Sequence, residues 1–301
     1  MSRLVDYMLS SKNPIQYLSC EGGWREIHGF RGNSKWIAPT MTKCCNCEAR
    51  PGYTTKLAHE YQDDEDVLNA KVQLLALMLK KSNKAMIYAG AGLSTAAGIG
   101  DYASKDINGK DIKSRISPYL TKPTYSHYAL SILFKSLYLK HFIQQNHDGL
   151  PQKAGIPQHC INEIHGAWYD PSNPVVKMDG MLRGDLYESM KYWEEGTDLT
   201  ISLGTSMCGM NSDCVFHTVA TKALDANVAL DCIDNSSTPS TTNTTPNPDP
   251  HPIGGVIIGL QSTQYDNVAA LHIYAKIDDV MRRLLDALNL DLDVDVSDAG
   301  L

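Results

Sequence analysis

The stretch from Lys84 to Asp106, "KAMIYAGAGLSTAAGIGDYASKD", limits the folds open to this chain more than any other. Ala85 to Ala89 run apolar without alternation, which is the pattern of a strand buried on both faces. The run stops at Gly90-Ala91-Gly92, and Ser94 opens an alanine-rich segment expected to be helical. Just upstream, "DDEDVLNAKVQLLALMLKKSN" places acids in its first turn, lysines in its last, and Val67, Leu68, Val72, Leu75 and Leu79 at helical spacing. An amphipathic helix therefore delivers the chain directly to a buried strand and a glycine turn.

The alternation continues downstream. "TYSHYALSILFKSLYLK" (124–140) is helical in pattern and leads to a short strand around His141 to Gln144 and the turn "QNHDGLPQKAGIP". After "CINEIHGAWYD" come a helix at "DLYESMKYWEEG", a strand-like run "TDLTISLGTS", an apolar strand "GGVIIGLQST" and a last helix "IDDVMRRLLDALNL", expected to be capped by Asp278 or Asp279. Helices alternating with short apolar strands predict an α/β fold, a parallel sheet with helices on both faces. Residues 1–62 show weak periodicity and are expected to form an irregular arm. Residues 63–290 form the folded domain, 235–252 (Ser/Thr/Asn/Pro-rich, without an apolar face) a mobile surface insertion, and 291–301 an acidic tail.

A net charge of −7, with scattered Lys and Arg, removes the footprint of sequence-independent nucleic-acid binding. The N-terminus lacks an apolar leader, and no run approaches the roughly 18 apolar residues of a membrane span. An intracellular protein that touches neither membrane nor nucleic acid is expected. Eight cysteines in such a chain read as thiols or metal ligands rather than a disulfide framework.

A glycine turn at the carboxyl end of a strand lets backbone N–H groups approach a pyrophosphate, and a following helix adds partial positive charge. Gly90, Gly92 and Ser94 suit that task. The usual dinucleotide fingerprint is incomplete, because Thr95 stands at its third glycine and no acidic residue ends a strand about 20 residues on. Three further islands of polar or glycine-rich sequence follow strands: "QQNHDGL", "EIHGAWY" and "LGTS". In an open α/β sheet such ends converge on one crevice.

The order and spacing of these islands resemble the sirtuin family of NAD-dependent protein deacylases. "TKPTYSHYAL" and the stretch from "GGVIIGLQST" onward look most like its nuclear class IV branch. The resemblance implies a Rossmann-like large domain and NAD as cofactor. Gly90, Ala91, Gly92 and Ser94 would hold the pyrophosphate. Asp101 would lie near the nicotinamide, with Tyr102 shielding the reactive carbon. Gln145 and Asn146 would meet the nicotinamide-side ribose, and Asp148 the carboxamide. Gly204, Thr205, Ser206 and Gln261 would meet the adenosine side, and Ile277 would pack on the adenine. His165 would be the general base, activating a ribose hydroxyl to attack an alkylimidate formed from an acyl-lysine protein substrate. The compartment implied is nucleus or cytoplasm.

Four positions depart from the family's pattern: Gly100 for Pro, Ala103 for Arg, Pro151 for His and Gly259 for Asn. Most sirtuins also carry a zinc ribbon between the counterparts of His165 and Gly204, followed by a strand that pairs with the peptide. Residues 161–207 contain no cysteine, so a reduced small domain is expected. Cys44 and Cys47 form one pair without a second at finger spacing, short of the four ligands zinc needs, and no metal ligand is assigned. Two rival readings stand beside deacylation: an NAD glycohydrolase or ADP-ribosyltransferase, and a non-catalytic NAD-binding sensor.

Overall fold

In the computed structural model, which describes residues 39–45, 48–50, 53–100, 117–177, 180–235 and 252–292, the region read as irregular contains short strands. These are β1 (Thr40–Lys43), β2 (Glu48–Arg50), β3 (Tyr53–Leu57) and β4 (Glu60–Gln62). β1 pairs with β4 and β2 with β3, both antiparallel. All four residues of β1 are exposed, so the strand has no apolar face to announce it in the sequence. Tyr61 N donates to Leu260 O and Asp63 N to Tyr274 O, both at 2.7 Å, which ties this segment to one edge of the main sheet.

The main body follows as α1 (Glu65–Lys81), β5 (Ala85–Ala89), α2 (Tyr125–Lys135), β6 (Leu139–Gln144), α3 (Leu150–Lys153) and β7 (Ile161–Glu163). It continues as α4 (Gly184–Gly196), β8 (Leu199–Leu203), α5 (Cys214–Asn235), β9 (Gly254–Ile258), β10 (Leu271–Ile273) and α6 (Ile277–Leu288). The six strands lie in the order β10-β9-β8-β5-β6-β7, and every neighbouring pair is parallel. This is the strand order of doubly wound dinucleotide-binding sheets, with the switch point between β5 and β8.

Alternate strand residues feed two cores, as a sheet with both faces covered requires. Ile87, Phe142, Ile201 and Val256 pack with residues of α1, α2 and α6 on one face. Met86, Tyr88, Ile143 and Ile257 pack with Met190 of α4 and Val215, Phe216 and Ala220 of α5 on the other. Gly255 lets Phe216 reach the sheet: a Cβ there would stand 2.6 Å from the Phe216 ring.

Three local expectations are corrected. The alanine-rich segment after Ser94 forms no α-helix; Ala91–Leu93 and Thr95–Ala97 make two 3-10 turns, closed by Gly98 at φ +83°. The helical pattern of 124–140 ends at Lys135, and Leu139 already belongs to β6. Neither Asp278 nor Asp279 caps α6, whose N-cap is Lys276 without a side-chain bond. Asp278 instead accepts hydrogen bonds from the backbone N–H and hydroxyl of Ser126, joining α6 to the start of α2. Helix α5 and strand β10 were not anticipated. Residues 236–251, most of the proposed insertion, lie outside the described residues, as do 293–301.

Candidate active site

The four islands occupy the carboxyl ends of four parallel strands: the glycine turn after β5, "QNHDG" after β6, "IHGAWY" after β7 and "GTS" after β8. At the switch point the turns after β5 and β8 interlock. Gly92 N donates to Gly204 O at 2.8 Å, and Gly90 N to Leu203 O at 3.0 Å. A Cβ on Gly92 would stand 2.7 Å from Gly204 Cα, and one on Gly90 2.6 Å from Thr205 Cβ. Gly204 sits at φ +56°, where L side chains are strained, and its own Cβ would meet Gly92 at 2.6 Å. No side chain fits between the two backbones.

The β6 loop is clasped to that turn by polar side chains. Ser94 Oγ donates to Asp148 Oδ2 at 2.6 Å, and Asn146 Nδ2 donates to Gly90 O at 3.0 Å and Ser94 Oγ at 3.2 Å. Asp148 is buried, and its other oxygen accepts from Leu150 N (2.9 Å) and Gln144 Nε2 (3.4 Å). Gln145 Nε2 reaches Thr205 Oγ1 at 3.1 Å, bridging the β6 and β8 loops. Ser94, Asn146 and Asp148 thus form one cluster, and the Gln145–Thr205 pair forms a second link across the switch point.

His165 follows β7, is buried to 8% exposure, and its Nε2 lies 3.4 Å from Ser212 Oγ. The β7 loop is held to the β6 loop by His147, whose Nδ1 meets Gly166 O at 2.8 Å and whose carbonyl accepts from Trp168 N at 2.9 Å. Gly166, at φ +89°, lets the chain turn under Pro174. Burial raises the pKa of the neighbouring Glu163 carboxyl above the usual carboxylate range, with hydrogen bonds from Gln152 and Gln158 opposing the shift.

On the far side of the switch point Ser206 is half-buried, and Gln261 is half-buried beyond the end of β9. Ile277 opens α6, and its side chain belongs to the core on the α1, α2 and α6 face. Asp101, Tyr102 and Ala103 lie outside the described residues, as do Cys20 and Cys47. Cys44 is exposed, and Cys45 N donates to His59 Nδ1 at 3.0 Å. Among the described residues no group of three or more His, Cys, Asp or Glu could hold a metal ion, and no helix is long and apolar enough to cross a membrane.

Sequence reasoning missed four polar residues beneath the crevice. Gln144 is buried with its Oε1 unpaired. Tyr88, Ser212 and Asp213 are buried beside His165: Tyr88 OH donates to Asp213 Oδ1 at 2.6 Å and stands 2.9 Å from Ser212 Oγ. Burial, reinforced by the Asp213 carboxylate, holds the Tyr88 phenol well above its ordinary range, so it stays protonated. One signal was available, since a tyrosine in an otherwise aliphatic buried strand needs a partner for its hydroxyl.

Strand order, switch-point crevice and interlocked glycine turns define the class: a doubly wound α/β protein of Rossmann type. No protein-family model matches the chain. It is 28% identical over 265 residues to the NAD-dependent protein deacetylase sirtuin-7 of Rattus norvegicus, covering 78% of this chain. It spans 64% of that relative's length. It is also 35% identical over 118 residues to the NAD-dependent protein deacetylase Sirt6 of Drosophila melanogaster, over 37% of each chain. Among solved structures, a Sir2 enzyme superposes with a TM-score of 0.54 at 18% identity, covering 73% of this chain and 98% of the other. A Sir2 complex with a p53 peptide and NAD+ gives 0.52 at 19% identity, covering 72% and 98%. In sequence the chain is similar to sirtuins, and in fold it is similar to Sir2 enzymes.

Proposed function

We propose that this chain is an NAD-dependent protein deacylase, which cleaves NAD to nicotinamide and transfers the acyl group of an acyl-lysine side chain to ADP-ribose. The observation that carries the reading is the glycine-walled crevice at the switch point, with the Ser94–Asn146–Asp148 clasp on one rim and His165 at the end of the next strand but one. Relatives named NAD-dependent protein deacetylases and solved Sir2 complexes with NAD and acylated peptides support it.

The residues present suit a dinucleotide. Gly90, Gly92 and Gly204 admit no Cβ where the β5 and β8 turns meet at the strand ends, and a glycine turn at a strand end is what close approach to a pyrophosphate needs. The unpaired Gln144 Oε1 is an acceptor at the base of the β6 loop, suited to an amide N–H. NAD supplies a glycosidic bond whose cleavage leaves an electrophilic sugar carbon. In this reading Asn146 and Gln145 orient the nicotinamide-side ribose, Asp148 keeps the clasp closed toward the carboxamide, and His165 takes a proton from a ribose hydroxyl. Gly204, Thr205, Ser206, Gln261 and Ile277 hold the adenosine half, and Ala91, Asp101 and Tyr102 complete the β5 side. The substrate is an acyl-lysine protein of the nucleus or cytoplasm.

A second reading, NAD glycohydrolase or ADP-ribosyltransferase, has one observation in its favour. Among the described residues between Ile164 and Arg183 there is no strand to pair with a peptide. Nicotinamide release measured with and without acyl-lysine peptides separates the two. Release that needs both peptide and His165 supports deacylation; peptide-independent release supports the second reading. Binding of NAD without release makes the protein a sensor.

A further inference from the structure

On the side of the sheet assigned to adenosine, the segment around β4 bonds to backbone that lies past the end of the strands. The β9–β10 ladder stops at Ile258 and Ile273, and one further bond follows, from Gly259 N to Ile273 O at 3.2 Å. Beyond it the chain runs on to Gln261 from β9 and to Ile277 from β10. Tyr61 N donates to Leu260 O at 2.7 Å, one residue before Gln261. Asp63 holds Tyr274 twice: its N–H donates to Tyr274 O at 2.7 Å, and its Oδ2 accepts from Tyr274 N at 2.9 Å. Nothing in the deacylase reading uses these three bonds, yet they join the two segments assigned to the adenosine half.

This hold is anchored in the core. Lys71 of α1 donates to both carboxylate oxygens of Asp63, at 2.7 and 2.8 Å, and neither side chain is more than 2% exposed. Parting such a pair would strip a buried charge of its counter-ion, so the Asp63 carboxylate is fixed where Tyr274 N–H meets it. Toward the surface the Tyr61 ring packs edge-on against the Tyr274 ring at 5.6 Å. Tyr274 stacks on His272 at 3.7 Å, and its hydroxyl donates to Asp266 Oδ2 at 3.0 Å. The other oxygen of Asp266 accepts from Thr263 N and Oγ1, at 2.9 and 2.6 Å. The β9–β10 loop is thereby tied to Tyr274, and Tyr274 to Asp63. We infer that Tyr61 and Asp63, held by Lys71, are positioning residues of the adenosine subsite: they fix the spacing between Leu260–Gln261 and the turn from Tyr274 to Ile277, and so set the affinity for the adenosine half of NAD.

The inference rests on the deacylase reading for its ligand, and it says which half of that ligand depends on the clamp. Ser94, Asn146, Asp148 and His165 follow β5, β6 and β7, on the other side of the switch point from β9 and β10. The nicotinamide half is therefore outside the reach of Tyr61 and Asp63. Two double variants separate the clamp on Tyr274 from the ion pair. Both carry Lys71→Met, so that the charges of the pair leave together, a replacement that buried ion pairs tolerate. With Asp63→Asn an amide oxygen still accepts from Tyr274 N–H. With Asp63→Leu, of similar volume, that N–H loses its acceptor.

The test is calorimetric titration of the full chain with NAD, ADP-ribose and nicotinamide mononucleotide, beside steady-state kinetics. Lys71→Met/Asp63→Leu is expected to bind NAD and ADP-ribose about tenfold more weakly than wild type, the worth of one lost hydrogen bond, and nicotinamide mononucleotide within about twofold. Its KM for NAD rises by about the same factor while kcat changes less than about twofold, because the reacting end is untouched. Lys71→Met/Asp63→Asn keeps all three affinities within about threefold of wild type. Hydrogen exchange in wild type needs no variant to fold: the amides of Tyr61, Asp63 and Tyr274 exchange more slowly with ADP-ribose bound than with nicotinamide mononucleotide, since binding that depends on the clamp must stabilise it in return. Wild-type ADP-ribose affinity in the folded Asp63→Leu protein overturns the inference. So do an equal loss for all three ligands, a like loss in the Asp63→Asn protein, or unchanged exchange at those amides. A wild type that binds no NAD removes the deacylase reading and the inference with it, whereas NAD turnover by wild type beside any of those results removes the inference alone.

Discussion

Gly259 and Gly204 are both glycines at strand ends, yet their surroundings differ. Gly204 is required by its backbone, with φ +56° and the Gly92 backbone 2.6 Å from where a Cβ would lie. Gly259 has no positive φ, and a Cβ built on it meets nothing within 4 Å. Its backbone N–H is already spent on Ile273 O at 3.2 Å. An asparagine, the residue usual in the family there, therefore fits without moving anything. Gly259→Asn is expected to fold like wild type and tighten NAD binding about three- to tenfold, the worth of one added hydrogen bond. Isothermal titration calorimetry measures it, and an unchanged affinity would mean that the β9 loop does not reach the nucleotide.

At the scale of elements, the crevice is made by two turns that support each other. The turn after β5 cannot hold its shape alone, since its two 3-10 turns are short and lack side-chain caps. What holds it is the backbone contact with the β8 turn on one side and Asp148 and Asn146 on the other. Gly204→Ala introduces both αL strain and a backbone collision, so it should cost about 1–3 kcal/mol in urea unfolding and abolish NAD binding. If the variant keeps wild-type affinity, the two turns are not the nucleotide cradle. Helix ends show the same dependence on neighbours, because Asp278 in the first turn of α6 serves α2 rather than its own helix.

For the whole molecule, two buried histidines set the response to acid. His127 is lowered from 6.5 to about 4, chiefly by burial, and its Nδ1 already accepts from Thr124 N at 3.1 Å. His141 is lowered from 6.5 to about 3 by burial and then by Lys84, and its ring stacks on Trp193 at 4.4 Å. Both are neutral in the folded protein and charge readily when it unfolds. Their contribution is therefore complete above pH 6.5 and is lost as pH falls from 6.5 toward 4 and 3. Between pH 7 and pH 5 each should remove about 2 kcal/mol of stability. Urea unfolding at the two pH values tests this, and His141→Phe, which keeps a ring against Trp193, should cut the acid loss by about half. Equal pH slopes for the variant and wild type would refute it.

How much of this was readable in the chain depends on the range of the interactions. Buried strands such as Ala85–Ala89, the amphipathic α1, the order of the four polar islands and the parallel sheet follow from short-range pattern, as does the place of Ser94 behind the glycine turn, whereas Asn146, Asp148 and His165 were singled out by the resemblance to sirtuins. The short strands at 40–62 and the 3-10 turns on either side of Ser94 were not readable, because contacts with distant backbone decide them against weak local preference. The same holds for Tyr88, Ser212 and Asp213, which lie up to 125 residues apart and meet only because β5 is central in the sheet and α5 packs beneath it. By itself the sequence determined the alternation of elements, through side-chain periodicity, and the chemistry available at each strand end. Only the tertiary structure decided which of those groups share protons, since a hydrogen bond needs its partners within about 3 Å and no local pattern carries that distance.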